Sequence, residues 1–492
     1  MGERTRLGLG VVGAALVLGA LGDGLLRATP WGVNLFLWVA ALEAAAVALA
    51  RWVRLRAVGE GRWLVPVAVL FAAGVAWRDS PTVVFLDVLA VLVALSLAAL
   101  WGRSGSLRLA GVSEYILGGI YAGALASSGP LPVTVSDVRW QEVGPGRWRE
   151  PVLSVTRGAL LATPLLLIFG GLFVAADAVF EELVRDVFGF DVAEVVGHVL
   201  LAGLFAWTSA GILWVALLAR NPASLAFRRP RVISLGILEI GVVLGLLDAL
   251  FLAFVVVQVR YLFGGAERVV ATVGLSYAEY ARRGFFELVI VTALVLPMLL
   301  LAHWLMRSES RAHVRVFRVL AGTMVVLLSV VMASALQRMY LYQQEFGLTE
   351  LRLYATVFML WISVVLAWFV LTVLRGRRDR FAFGALVTGL AAILVINAAN
   401  PDAIITRTNV ARMQAGERFD PYYLTTLSSD AVPALAESLP TMDRKDRGVI
   451  EDQLRDRWSS DDGNWRTWNL SRSRAQRLAD AADTGADQAS PP

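Results

Sequence analysis

Apolar residues run along this chain in blocks close to the length of a bilayer crossing, separated by short polar connections. The blocks are Leu7–Leu26, Trp31–Ala50, Trp63–Trp77, Pro81–Trp101, Leu153–Ala176, Val195–Leu218, Val232–Val257, Phe285–Leu305, Val314–Leu336, Leu353–Leu374 and Phe381–Ala399. They predict an all-α polytopic bundle of about eleven spans. A twelfth block, Leu109–Ser128, carries Glu114 and several glycines and serines, and reads as re-entrant or interfacial. After Asn400 the pattern changes to alternating charges and turn residues with no span-length apolar run. Short amphipathic helices are expected at Asp420–Leu439, Arg447–Trp458 and Asn464–Ala482. The expected organisation is N-terminal spans with the re-entrant segment and a loop over 1–152, a core of spans over 153–399, a small helical soluble domain over 400–478, and a disordered Ala/Asp/Pro-rich tail over 479–492.

Composition agrees with the pattern. Of 492 residues, 57% are hydrophobic and 17% charged, too little polar surface for a soluble protein of this size. With no cysteine, disulfides, thiolate metal sites and cysteine nucleophiles are excluded. Three scattered histidines, His198, His303 and His313, build no multi-histidine metal site. Neither a GxSxG elbow, an HExxH helix nor a phosphate loop is present. No cofactor or metal is therefore expected, and the bilayer is the first partner.

The net charge of +5 comes from arginine-rich connections and so bears on orientation, not on nucleic acid. Arg51, Arg54, Arg56 and Arg62 form one cluster, Arg220–Arg231 a second, Arg307 and Arg311 a third, and Arg375–Arg380 a fourth. All four fall in the cytoplasm only if Leu109–Ser128 does not cross. The N-terminus is then cytoplasmic and the segment after Asn400 extracytoplasmic. The loop Arg260–Gly284 faces outward against the rule.

Four stretches carry a family likeness: AADAVFEELVRD at Ala175–Asp186, VQVRYLFGG at Val257–Gly265 with SYAEYARRGFFEL at Ser276–Leu288, QRMYLYQQEFGLTELRLYA at Gln337–Ala355, and INAANPDAIITRTNVAR at Ile396–Arg412. Together they resemble the bacterial polytopic membrane family catalogued as domain of unknown function 4173, over a region from about Leu153 to the soluble segment. The resemblance implies a membrane location and transfers no catalytic residue. Combined with the arginine reading, it places all four motifs at outward-facing span ends. An outer constellation is expected there, with Tyr280, Arg283 and Glu287 approaching Glu345, Glu350 and Arg352, closed by Asp402 and Arg407. Guanidinium and carboxylate groups at a low-dielectric rim need one another whether or not a ligand binds.

Carboxylates within spans are costly and face protein or a cavity. Asp87, Glu239 and Asp248 belong to this class, with Glu43. Glu239 and Asp248 stand on nearly opposite faces of one helix, so they form no common site. Glu194 and His198, one turn apart, read as a hydrogen-bonded pair. Asn400 and Pro401 read as the cap and first turn of a helix that fixes the soluble segment on the bundle. Three functional readings follow: a non-enzymatic envelope protein, transporter-like or a sensor with an envelope or signalling partner, carrying an outward recognition site; a membrane enzyme acting on lipid-linked or envelope substrates; or a structural scaffold.

Overall fold

The structure is a computed structural model that describes residues 1–55, 58–103, 105–142, 192–219, 235–262, 285–306, 310–458 and 463–489, together with Phe169, Phe173, Ala176 and Asp177. The expected span Leu153–Ala176, most of the motif Ala175–Asp186, most of the loop Arg260–Gly284 with Tyr280 and Arg283, and the cluster Arg220–Arg231 lie outside the described residues.

Among the described residues, ten helices are long and apolar enough to cross a membrane, and no β-strand is present. The protein is an all-α polytopic helix bundle. In chain order its helices begin with α1 (Glu3–Leu26), α2 (Val33–Trp52), α3 (Leu64–Trp77), α4 (Pro81–Trp101) and the shorter α5 (Val112–Ser127). They continue with α6 (Val192–Leu217), α7 (Ile237–Leu262), α8 (Phe285–Leu305), α9 (Arg311–Phe346), α10 (Glu350–Thr372) and α11 (Phe381–Ala399). Outward faces are apolar, as at Phe85, Leu238 and Leu246, which is the surface a bilayer solvates.

Two large apolar cores divide the bundle, beside a smaller one that includes Leu64, Ala68, Ala94, Leu97 and Leu100 of α3 and α4. One joins Leu7, Val11, Leu18, Leu42, Phe71, Val75 and Leu213 of α1–α3 and α6. The other joins Leu244, Leu299, Phe317, Met324, Leu328, Met359 and Phe369 of α7–α10. Helix α11 lies at the seam: Phe381 belongs to the second core, while Leu390 and Ile393 pack on the first. Small residues bring α1 against α6. A Cβ on Gly19 would stand 2.5 Å from the Ala202 carbonyl, a spacing only glycine permits.

The segment Leu109–Ser128 forms the sixteen-residue α5 and returns to the end it started from. Near its start, Glu60 accepts from Ser106 Oγ and from Arg108 N, each at 2.9 Å. At Ser127 the carbonyl meets Trp207 Nε1 at 2.8 Å. The chain turns at Gly129, whose positive φ of 59° sets its backbone against the Trp207 indole. It then comes back so that Asp137 accepts from Arg4 Nε at 2.6 Å and Trp214 Nε1 at 2.7 Å. Arg4 and Glu60 both belong to the arginine-rich end.

After Asn400 come α12 (Pro401–Gln414), α13 (Pro421–Thr426), α14 (Val432–Ser438), α15 (Arg444–Trp458) and α16 (Leu470–Ala489). Ile405, Leu424, Leu427, Leu435 and Ile450 form their core, which takes in Leu348 from the α9–α10 corner. The single helix expected at Asp420–Leu439 is instead two, because Ser428 caps a 3₁₀ turn between them. Helix α16 runs on to Ala489, past the expected boundary at 479.

Candidate functional site

Helix ends expose backbone groups with no partner inside the helix. At the end of the bundle that carries the soluble segment, that segment supplies those partners with the polarity each helix end requires. Helix C-termini receive donors. Arg466 donates to the Gly24 carbonyl of α1 at 2.9 Å. Asn469 Nδ2 donates to Val75 O at 2.8 Å and to Arg78 O at 2.9 Å at the end of α3, and Ser471 Oγ donates to Trp77 O at 3.0 Å. Arg412 donates to the carbonyls of Gln343, Gln344 and Glu345 in the last turn of α9. Asn409 exchanges two hydrogen bonds with the Leu348 backbone, at 2.9 and 2.8 Å. Between these, Gly347 has φ 76° and ψ −178°, a backbone region open essentially to glycine alone.

Helix N-termini receive acceptors. The Trp468 carbonyl takes Val33 N of α2 at 2.9 Å. The Tyr423 hydroxyl takes Glu350 N of α10 at 2.9 Å. Asp430 serves α4: its Oδ2 accepts from Asp79 N at 2.8 Å and Ser80 N at 2.9 Å. Its Oδ1 meets Arg78 at 3.4 Å and accepts from Ser471 Oγ. Asp430 and Arg78 are both buried. Arg78 also donates through Nε to Asn397 O at 2.7 Å, and Ser429 Oγ donates to Asp79 Oδ2 at 2.9 Å. One carboxylate of the soluble segment thus joins α3, α4 and α16, and its Arg78 partner reaches α11.

Beside this junction lies Asp402, fully buried. Its Oδ2 accepts from Ser428 N at 3.1 Å and Ser428 Oγ at 2.5 Å, whereas Oδ1 has no hydrogen-bond partner among the described residues. Burial pushes its carboxyl up to about 6; the Ser428 hydroxyl opposes the rise, while Glu350 and Asp430 add to it. Burial also raises Asp79, against the pull of Arg472 and Ser429.

The expected outer constellation is brought together only in part. Glu350 and Asp402 lie within electrostatic reach of each other, with Tyr423 beside both. Arg352 turns back on its own corner, donating to Phe346 O at 3.1 Å and Gly347 O at 2.5 Å with its guanidinium over the Tyr342 ring. Arg407 points outward and pairs at 3.5 Å with Glu437, both largely exposed. Glu345 is exposed and joins through its backbone carbonyl; Glu287 is exposed in the first turn of α8. Tyr280 and Arg283 lie outside the described residues.

Of the carboxylates expected inside spans, Asp87 is fully buried, with Oδ1 accepting from Asn397 Nδ2 at 2.7 Å. Asp248 also faces the packed interior, but neither oxygen has a hydrogen-bond partner among the described residues. Glu239 is a correction. The helix starts at Ile237, so Glu239 stands exposed in the first turn and accepts from Gly236 N at 2.6 Å, half of a capping box. His198 pairs first with Asp23, at 2.6 Å, and only loosely with Glu194, at 3.9 Å. No group of three or more metal-ligating side chains occurs among the described residues.

Sequence reasoning missed Arg78, Asp430, Asn397, Asn469 and Ser471. One signal was available. Arg78 stands between two spans on the side away from the four arginine-rich connections, and a misplaced cation beside a bilayer implies a buried anion elsewhere.

These features define an integral membrane protein with multiple spans and a closely docked helical segment. A model described as a domain of unknown function, DUF4153, matches residues 65–438, and the chain belongs to that family. The number expected from the motifs, 4173, is not the one that matches. The match also begins well before Leu153 and takes in α3 and α4. Two of the motifs are helix-end sequences bound by capping chemistry, which marks a kind of structure more firmly than one family. No curated protein and no solved structure matches the chain.

Proposed function

We propose that this chain is a non-enzymatic scaffold of the cell envelope, in which the segment after Asn400 is an extracytoplasmic plate that holds the outer helix ends at fixed spacing. The observation that carries this reading is Asp430, a buried carboxylate whose hydrogen bonds and ion pair come from α3, the start of α4 and α16 together. A ligand site at the outer mouth requires polar groups left free for the ligand. Among the described candidates, Arg352 is committed to the Phe346 and Gly347 carbonyls, Arg407 to Glu437 and Asp402 Oδ2 to Ser428, which favours the scaffold over the transporter-like, sensor and enzyme readings. The orientation rests on charge. The described arginine clusters, among them Arg51, Arg54, Arg375, Arg377 and Arg378, occupy the helix ends opposite the plate, and such clusters stay in the cytoplasm.

The native chain lacks cysteine, so single labels test both points cleanly. Glu437→Cys should react with a membrane-impermeant maleimide on intact cells, and Arg377→Cys only after permeabilisation. The reverse pattern overturns the orientation. Spin labels at Glu437→Cys and Gln344→Cys in the purified protein should give a narrow distance distribution. A broad one overturns the plate.

A second reading keeps a specific observation. Asp402 Oδ1 has no hydrogen-bond partner among the described residues and lies near Glu350, so a recognition site, if this chain carries one, centres on Asp402, Glu350 and Tyr423.

A further inference from the structure

Deeper in the bundle than the plate, α4 and α11 meet through Asp87 and Asn397, both buried. The contact joins α4, whose Ala90 and Val91 belong to the first core, to α11, whose Ile393 packs on that core. Asn397 uses both amide hydrogens, one to Asp87 Oδ1 at 2.7 Å and one to the Ile393 carbonyl at 3.1 Å. These two bonds fix the amide's orientation, because a flipped amide would face its oxygen toward two acceptors. Two atoms of the pair are without a hydrogen-bond partner among the described residues: Asp87 Oδ2 and Asn397 Oδ1. Both lie over the same point of α3. A Cβ on Gly74 would stand 2.5 Å from Asp87 Oδ2 and 3.3 Å from Asn397 Oδ1, so glycine there leaves room for the two oxygens to face each other.

Two orphaned acceptors side by side in a dry interior are each expensive. A bare carboxylate among apolar helices is more so. Cations near the pair are already committed. Arg78 of the α3–α4 connection spends Nε on Asn397 O and NH1 on Asp430, and Arg472 of α16 faces Asp79. The other charges on the packed elements stand at helix ends. Glu60, Arg62, Glu114, Arg378, Asp379 and Arg380 lie toward the arginine-rich end, and Glu350, Arg352 and Asp402 toward the plate. Glu194 and His198 are in the first two turns of α6.

We propose that Asp87 holds a proton on Oδ2 and donates it to Asn397 Oδ1, so that a closed acid–amide pair of two hydrogen bonds locks α4 to α11. The proton comes from water as the helices pack, and the pair is neutral. One proton satisfies both orphaned oxygens at once. A metal cation does so less well, because hard cations take about six oxygens and only these two are uncommitted here among the described residues.

The test uses the full-length protein in lipid nanodiscs at neutral pH. The infrared spectrum should contain a protonated-carboxyl C=O band that shifts in deuterium oxide and disappears in Asp87→Asn. That variant should keep the wild-type melting midpoint, since its amide also donates to Asn397 Oδ1. Asn397→Ala, which removes the acceptor, should move the same band to higher frequency. This second variant answers the question if Asp87→Asn fails to fold. A spectrum in which neither variant alters a protonated-carboxyl band means that Asp87 is ionised, and overturns the proposal. A wild-type midpoint that rises with sodium but not with potassium, and is insensitive to either in Asp87→Asn, assigns the space to a cation and also overturns it. None of these readouts depends on the plate or its orientation.

Discussion

The two ends of the bundle are closed by different means. At the arginine-rich end, local caps stand beside contacts of intermediate reach, Arg103 to the Ala219 carbonyl over 116 residues and Arg4 to Asp137 over 133. Ser310 caps α9 three residues on, at His313 N, Glu239 serves Gly236, and Glu60 reaches 48 residues to Arg108. At the other end, Asp79 and Ser80 are served by Asp430, about 350 residues away, and Gly24 by Arg466, 442 residues away. Local caps close a helix as soon as it forms, whereas distant ones make the end of each helix conditional on the whole fold. The arginine-rich end is therefore closed in part by independent local caps, whereas the plate end depends chiefly on one distant segment.

That contrast can be broken most directly at Asp430. Asp430→Ala leaves Arg78 and two backbone N–H groups buried without their partner, a loss of about 3–5 kcal/mol for one side of a buried pair. The expected result is a large fall in the unfolding midpoint of the purified protein and protease cleavage within 415–489 under conditions where the native plate resists. An unchanged midpoint would show that the plate is not held at this junction.

Asp402 gives a smaller, pH-dependent effect. Its carboxyl is raised from an ordinary value near 3.8 to about 6, so between those values the folded protein holds a proton that the unfolded chain has released. The stability this contributes is complete below pH 4 and is lost as pH rises through about 6. Its size is on the order of 2–3 kcal/mol. Asp402→Asn stays neutral throughout, so its midpoint relative to the native protein should climb from pH 4 to pH 6 and then level. Parallel curves would remove Asp402 from the account.

The smallest effect belongs to the opposite end. Ser310→Ala removes one local cap and should cost about 1 kcal/mol, with the plate still protease-resistant. If it loosens the plate as Asp430→Ala does, the two ends are not independent and the contrast fails.

The same contrast decides what could be read from the sequence. Ten spans were legible because each is a contiguous apolar window near twenty residues, and the Asn400–Pro401 cap was legible because its partner, Ala403 N, is three residues away. Asp430 reads locally as a helix cap, which hid its bonds to Asp79 and Ser80. Arg407 and Arg412 look equivalent in sequence, yet only Arg412 faces the last turn of α9. Glu239 was misplaced because the five residues Val232–Gly236 carry the apolar window back beyond the helix start at Ile237. Glu350 and Asp402 lie within electrostatic reach of each other, but charge complementarity alone did not show that Arg352 would fold back on its own corner.

The distance between Pro81 and Asn469 also has a meaning in time. A ribosome adding roughly 5–20 residues each second needs on the order of 20–80 s to travel from one to the other. For most of that interval the start of α4 waits for Asp430 and the end of α3 for Asn469. The bundle is thus assembled like a cask whose lid arrives last, and a nascent chain arrested before Asn464 would carry its helices without Arg466 on α1, Trp468 on α2 or Asn469 on α3.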